Sequence, residues 1–265
     1  GMLSGILNMD PANFLTGAEE IVVFDKAGKD YEGILFLADD ESVNYIQIVD
    51  ELSVLVDLPP VYQSYENTSS IKESVVYSEY MDESKLIVGR APVGLNEIAI
   101  DKDVVDQILT NTTYSILGIT TYQDLMNLEM YIVLSTQNDY YKLPVKVVGV
   151  VEDTAKVIYA HQDLIYMSQF KVGVYETFAD DITLVEGSLP TTNGGMIIRN
   201  SDSLESPVSA NIVTLDGIGS YNATGLFTAD ETVPNILIRR EVLEEDYFAV
   251  RYSQNYADIS FHSND

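Results

Sequence analysis

His161 and His262 are the only side chains that could serve as imidazole bases near neutral pH. One falls in a polar turn and the other close to the C-terminal end, and neither belongs to a zinc-ligand spacing or a nucleophile relay. Both read as surface or turn residues. The chain has no cysteine, which removes thiolate nucleophiles, thiolate metal sites and disulfides together. No GxSxG, Walker A or GxGxxG pattern occurs, so acyl transfer, nucleotide hydrolysis and dinucleotide binding have no motif behind them.

Carboxylates are abundant instead. Asp39-Asp40-Glu41, Glu152-Asp153, Asp180-Asp181 and Glu244-Glu245-Asp246 are dense enough to suggest calcium binding or paired acid and base work. None follows EF-hand spacing. With 42 acidic residues in the chain, groups of two or three arise from composition alone, and a solvated acidic face is the better reading. A carboxylate-dependent hydrolase would need two such groups converging in a cleft about 5 to 9.5 Å apart, and ranks last. The 18 tyrosines, against no tryptophan, are the other unusual count. Tyr62, Tyr65, Tyr77, Tyr80, Tyr140 and Tyr141 could form an amphipathic recognition surface, since the ring combines area with a polar tip. Completion of strand faces and sheet edges is the commoner use. The sequons at Asn67, Asn111 and Asn222 mark exposed loops at most.

A formal net charge of −28 repels phosphate backbones and anionic membranes, so nucleic-acid binding is excluded as a main role. Cationic partners fit better, although solubility alone also accounts for the charge. A chain of 265 residues with 46% hydrophobic and 21% charged content has the composition of one large or two ordinary globular domains. No run of 18 apolar residues and no cleavable leader pattern is present. Gly1 before Met2 reads as a scar of tag removal, which would make the chain ends a cloning choice with membrane segments cut away.

The elements that must position these residues are mostly strands. Ile21–Phe24 and Ile34–Leu37 are expected strands, and the spacing of Tyr45, Ile48, Leu52 and Leu55 predicts a helix over Glu41–Leu55, capped by Asp39 or Asp40 and closed by Pro59-Pro60. Ser74–Tyr80 reads as a strand. Asp101 opens a helix through Leu109, Thr110–Gly118 is a loop, and Thr121–Leu128 gives one or two helical turns. Met130–Leu134, Leu143–Asp153 and Leu164–Met167 read as strands, with Val145, Val147 and Val151 on one face. Later strands are expected at Asn211–Leu215 and Ile236–Ile238, then a brief helix over Arg239–Tyr247, with Phe248–Tyr252 and Ile259–Phe261 strand-like.

One pattern occurs twice. Tyr80–Ile100 laid without a gap over Phe178–Ile198 pairs Asp82 with Asp180, Leu86 with Leu184, Gly89 with Gly187, Pro92 with Pro190 and Ile100 with Ile198. Five identities in 21 positions compare with about one expected from average residue usage. Glycine followed three residues later by proline describes a turn, glycine supplying positive φ and proline fixing the bend. The second copy is degenerate, with Gly194-Gly195 in place of Asn96-Glu97. The division expected is an N-terminal segment 1–73, a first repeat unit 74–170 and a second unit 171–265.

Read in order, Gly89-Arg90-x-Pro92, Asn96-Glu97-Ile98, an amphipathic helix, Tyr122-x-Asp124-Leu125, Val147-Val148-Gly149-Val150-Val151 and Ile165-Tyr166-Met167 resemble the extracytoplasmic domain of FtsX-like ABC transporter permeases, the MacB-like periplasmic core. The likeness is strongest over 77–167 and weaker over 175–252. It implies an α+β, strand-rich fold of two related units, with a βαβ-containing, porter-like subdomain and a mostly β second subdomain. It also implies a non-catalytic role without cofactor or metal, in which Gly89, Arg90, Pro92, Asn96, Glu97, Gly149, Gly187 and Pro190 are structural. The implied setting is the outer face of a bacterial membrane. The module's own transmembrane helices and an ABC ATPase would be its partners there, beside an external peptide, lipoprotein or cell-wall enzyme. The rival reading is a free-standing surface protein that binds a cation, glycan or cationic peptide.

Overall fold

The structure is a computed structural model, and it describes residues 20–23, 39–58, 70–136, 139–193, 195–201, 212–215, 219–255 and 259–263. The strand expected at Ile34–Leu37 and the prolines at 59 and 60 lie outside the described residues, as do Tyr62, Tyr65 and Asn67.

Along the chain, β1 (Glu20–Val23) covers the first expected strand. β2 (Val43–Ile48) and β3 (Asp50–Val56) stand where the helix over Glu41–Leu55 was expected. Leu52, Val54 and Val56 are buried while Glu51 and Ser53 are exposed, a period of two that the chance helical spacing of Tyr45, Ile48, Leu52 and Leu55 conceals. Asp40 caps no helix. Its carboxylate accepts the Ser42 N–H at 2.9 Å and the Ser42 hydroxyl at 2.6 Å in the turn before β2.

β4 (Ser70–Tyr77) runs into short 3-10 turns, followed by β5 (Leu86–Gly89) and β6 (Glu97–Asp101). α1 (Lys102–Leu109) begins at an Asp101 cap that accepts the Asp103 N–H, and it buries Val104 and Val105. α2 (Thr112–Ile116) forms inside the expected loop because the Asn111 side chain accepts the Thr113 N–H and starts a turn. α3 (Tyr122–Met126) carries a reciprocal capping box between Thr121 and Asp124. β7 (Met130–Thr136), β8 (Asp139–Val151) and β9 (Val157–Ala160) come next. α4 (Gln162–Phe170) replaces the strand expected at Leu164–Met167. It is buried on nearly every side, from Asp163 through Ser168 and again at Phe170, so it shows no apolar stripe, and a short buried run of this kind reads equally as strand.

β10 (Gly173–Val174), α5 (Tyr175–Phe178), β11 (Thr183–Gly187) and β12 (Met196–Arg199) lead into β13 (Ile212–Leu215), β14 (Gly219–Thr228) and β15 (Ile236–Ile238). α6 (Arg240–Asn255) contains the stretch Phe248–Tyr252 expected as strand, because the helix opened at Arg240 continues through those β-prone residues. β16 (Ile259–Ser263) is the last strand. Helices and mixed sheets together make the fold α+β.

The chain falls into two compact units, Gly1–Asp50 with Glu245–Asp265, and Glu51–Glu244. In the first, β16 lies antiparallel between β1 and β2, with Phe261 opposite both Ile21 and Ile46. Arg251 donates to both oxygens of the buried Asp50 carboxylate at 2.6 and 2.9 Å.

The second unit holds two sheets. One has the order β5-β8-β6-β9-β4-β3-β7, and β8 also pairs with β7, so the sheet closes on itself. The other has the order β10-β15-β12-β14-β11, with β13 paired to β14. Strand directions match step for step. β5 is antiparallel and β6 parallel to β8, β6 is antiparallel to β9, and β9 is parallel to β4. Likewise β11 is antiparallel and β12 parallel to β14, β12 is antiparallel to β15, and β15 is parallel to β10. Even the bulges correspond. Register slips between Leu86 and Val88 and between Ile98 and Ala99, and again between Leu184 and Glu186 and between Met196 and Ile197, which are the aligned positions of the sequence repeat.

Candidate functional site: the duplicated glycine corners

β5 is an edge strand that must leave β8 abruptly to let the chain return as β6 on the far side. Gly89 makes that corner with φ of +78°, where a side chain is strained. A Cβ at Gly89 would stand 2.0 Å from the Val148 carbonyl oxygen, and one at Gly149 would stand 2.3 Å from that of Arg90. The Arg90 N–H donates to the Val148 carbonyl at 2.9 Å. The corner is therefore a close backbone crossing that only a pair of glycines admits.

The loop beyond it is held by charge. Arg90 donates through both Nη atoms to the Glu97 carboxylate, the Nη1 to Oε1 distance being 3.0 Å. The same Oε1 accepts the N–H groups of Val93 at 3.0 Å and Gly94 at 2.8 Å. The guanidinium, with those two backbone donors, holds the Glu97 carboxyl down to about 2 against the opposing effect of burial. Pro92 lies half-buried in this loop, and the Asn96 carbonyl accepts the Lys146 N–H at 2.8 Å, fixing the start of β6 on β8.

The second corner repeats the backbone and changes the staple. Gly187 has φ of +77°, its Cβ would meet the Thr224 carbonyl oxygen at 2.2 Å, and a Cβ at Gly225 would meet the Ser188 carbonyl oxygen at 2.4 Å. The Ser188 N–H donates to the Thr224 carbonyl at 2.8 Å. Ser188 and Gly195 occupy the positions of Arg90 and Glu97, so no ion pair can form across this loop. Hydroxyls take over. The Thr224 hydroxyl lies 3.1 Å from the Met196 carbonyl and 3.2 Å from that of Ser188, and the Thr191 hydroxyl accepts the Gly195 N–H at 3.1 Å. Pro190 is buried beneath the turn. Aligned edge positions stay exposed in both copies, Ile87 at 42% and Val185 at 48%.

Several of the acidic residues serve local partners of their own. Asp153 takes Lys85 at 2.8 Å and the Tyr159 hydroxyl, Asp180 and Asp181 end a single 3-10 turn, and Asp40 serves its own turn. Among the described residues, no group of three or more His, Asp or Glu could hold a metal ion. His161 caps α4, its Nδ1 accepting the Asp163 N–H at 3.0 Å. His262 lies in β16 opposite Tyr45. Tyr77 stacks on Tyr80 with ring centroids 6.0 Å apart. Tyr141 donates to the Thr232 carbonyl, and burial pushes its phenol up to about 12. Tyr140 is 59% exposed.

Two anchors escape a reading of the sequence, and a third, Asp101, does more than open the expected helix. Asp101 is fully buried and, besides capping α1, accepts the Asp153 N–H at 3.0 Å and the Ala155 N–H at 3.4 Å. Asp163 on α4 receives Arg240 on three contacts of 2.7 to 3.1 Å. Arg199 gathers the Asn235 side chain and the carbonyls of Ala229, Asp230 and Val233 while lying over the Phe227 ring. Only Asp101 had a local signal, an acidic residue between a strand and a helix.

No helix among the described residues is long and apolar enough to cross a membrane. No family model matches the chain, and no curated protein matches it. Solved structures similar to it include two from ABC transporters. One is the extracellular domain of the noncanonic ABC-type transporter YknZ from Gram-positive bacteria, with 16% identity over 57% of this chain and 75% of that one and a TM-score of 0.31. The other is the periplasmic region of MacB from Actinobacillus actinomycetemcomitans, with 12% identity over 96% of this chain and 92% of that one and a TM-score of 0.31.

Proposed function

We propose that this chain is the extracytoplasmic domain of an FtsX-like ABC transporter permease and carries no active site of its own. It would be tethered through flanking transmembrane helices to an ABC ATPase subunit, and would couple their movement to an external peptide, lipoprotein or cell-wall enzyme. The observation that carries the reading is the ordered set Gly89-Arg90-x-Pro92, Asn96-Glu97 and Gly149. Those residues, singled out by resemblance, form one corner in which glycine crosses glycine and Arg90 grips Glu97. On this reading 74–170 and 171–265 are the two related units, the first with the porter-like βαβ crossover from β6 through α1 to β8, the second mostly β. The net charge of −28 favours a second reading, a free-standing surface protein for a cation or cationic peptide.

The test starts from the complete gene product. Apolar segments of about 20 residues on both sides of the domain are expected, and a gene ending near Asp265 behind a leader or lipid anchor would overturn the permease reading. Because the domain lacks cysteine, Val93→Cys, at a position 79% exposed, places one thiol on it in the full-length protein. A membrane-impermeant maleimide should label that thiol from outside intact cells or spheroplasts. Labelling only after the membrane is opened would place the domain on the wrong side.

A further inference from the structure

Lys142 and Lys146 are basic side chains that hold no carboxylate among the described residues. Lys72, Lys85, Arg90, Lys102, Arg239, Arg240 and Arg251 are each in an ion pair, as the excess of acid would lead one to expect. Lys142 instead lies with its ammonium 4.3 Å from the centre of the Tyr131 ring. Lys146 forms no ion pair among the described residues. Both line one groove of about 580 Å³, within the range of small-ligand sites.

The strand register orders the charges around that groove. Val56 faces Met130, and Met130 faces Val145. One step further along the same rows, the Asp57 N–H donates to the Glu129 carbonyl at 2.9 Å, which sets Asp57, Glu129 and Lys146 side by side across β3, β7 and β8. Adjacent residues opposite one another in a ladder share a face. Two steps along β8, Pro144 lies opposite Tyr131, and two steps beyond that is Lys142. The groove thus has two carboxylates towards β3 and β7 and two ammonium groups along β8, with Tyr131, Pro144 and Met126 as apolar lining. Pro144 offers no N–H there, and Met126 is an adaptable thioether.

We infer that this groove binds a small zwitterion with an apolar body, a short apolar peptide with free ends. The ligand's carboxylate would take Lys142 and Lys146, its ammonium would take Asp57 and Glu129, and its side chains would cover Tyr131 and Met126. Both signs are required. A plain anion would meet Asp57 and Glu129, and a plain cation would meet the lysines. The inference concerns a site within Glu51–Glu244 and holds for either reading of the whole protein.

Isothermal titration of the purified chain with Leu-Leu-Leu, with its N-acetyl form and with its C-terminal amide tests this directly. The free tripeptide should bind saturably at one site, and each blocked form at least tenfold more weakly. Lys142→Gln with Lys146→Gln should abolish the penalty for amidation while keeping the penalty for acetylation. Asp57→Asn with Glu129→Gln should do the reverse. All four positions are exposed, so the variants should keep the parent's circular dichroism. Absence of saturable binding by the free tripeptide, or equal binding of all three, would overturn the proposal. Binding of the acetylated form alone, lost with the lysines, would replace it with a simple anion site.

Discussion

Gly149 lies directly beneath the corner that Gly89 makes, so that a Cβ on Gly149 would stand 2.3 Å from the carbonyl oxygen of Arg90 and 3.1 Å from Leu86. Gly225 stands in the same relation to Ser188 and Leu184, at 2.4 and 2.9 Å. Two sheets of one chain have therefore kept a backbone crossing that tolerates no side chain, although the residues stapling the adjoining loops have changed entirely.

Gly149→Ala and Gly225→Ala should each destabilise the fold by about 2 to 4 kcal/mol, since the contact is with backbone that cannot swing aside. Gly118 is the control. It has a positive φ, +80°, which Gly149 and Gly225 do not, but nothing lies within 4 Å of its Cβ position, so Gly118→Ala should cost only the conformational penalty of about 1 kcal/mol. Urea unfolding of the three variants checks the order. A loss at 149 no larger than that at 118 would mean that the contact with the Arg90 carbonyl is relieved at little cost.

Glu97 gives an acid dependence that can be isolated. Its folded carboxyl is depressed from the ordinary 4.5 to about 2, first by Arg90. A depressed carboxylate contributes stability that is fully present above the unfolded value and is lost as pH falls through the folded one. The stability difference between the parent and Glu97→Gln should be constant at neutral pH and shrink as pH falls from about 4.5 towards 2. Arg90 is largely solvent-exposed, so added salt should reduce the difference at neutral pH. A difference independent of both pH and salt would assign the loss to packing.

Asp101 should behave as a structural hub. Its carboxylate is buried and serves three backbone donors, on Asp103, Asp153 and Ala155. Asp101→Ala removes a helix cap and orphans those donors, for an expected loss of about 2 to 4 kcal/mol. Asp101→Asn keeps one acceptor oxygen and should recover part of it. Hydrogen exchange at Asp103, Asp153 and Ala155 should speed up in the alanine variant before global unfolding. Unchanged protection there would overturn the assignment.

How much of this the sequence discloses depends on the range of the interaction. The corner at Gly89 and its twin at Gly187 were visible because turn chemistry is local and the alignment needs no gap between Leu86 and Ile100. The partner glycines, Gly149 and Gly225, lie after connections of different length, so the repeat fades before it reaches them. The Glu41–Leu55 segment misleads for another reason: its apolar residues satisfy helical and strand periods at once, and only the pairing of β3 with β4 and β7 decides between them. The buried helix α4 has no stripe to read. The groove charges are invisible in sequence because Asp57, Glu129 and Lys146 come together only through the strand register.

Asp163 and Arg240 are the strongest case of such long-range assembly, and they make the last prediction. Asp163 stands on α4 just after β9, Arg240 opens α6 just after β15, and β9 and β15 hold equivalent places in the two sheets. The Asp163 side chain is 3% exposed, and its carboxylate also has the Thr177 hydroxyl at 3.3 Å and the His161 Nδ1 at 3.8 Å. Arg240→Gln leaves that carboxylate buried without its cation, which should cost about 2 to 3 kcal/mol, the lower end for broken buried pairs because Arg240 is itself partly exposed. Replacing both partners by apolar groups, Asp163→Leu with Arg240→Met, should recover most of the loss, since the cost lies in the stranded charge. A double variant as unstable as the sum of its single changes would show that the pair does not act as a unit.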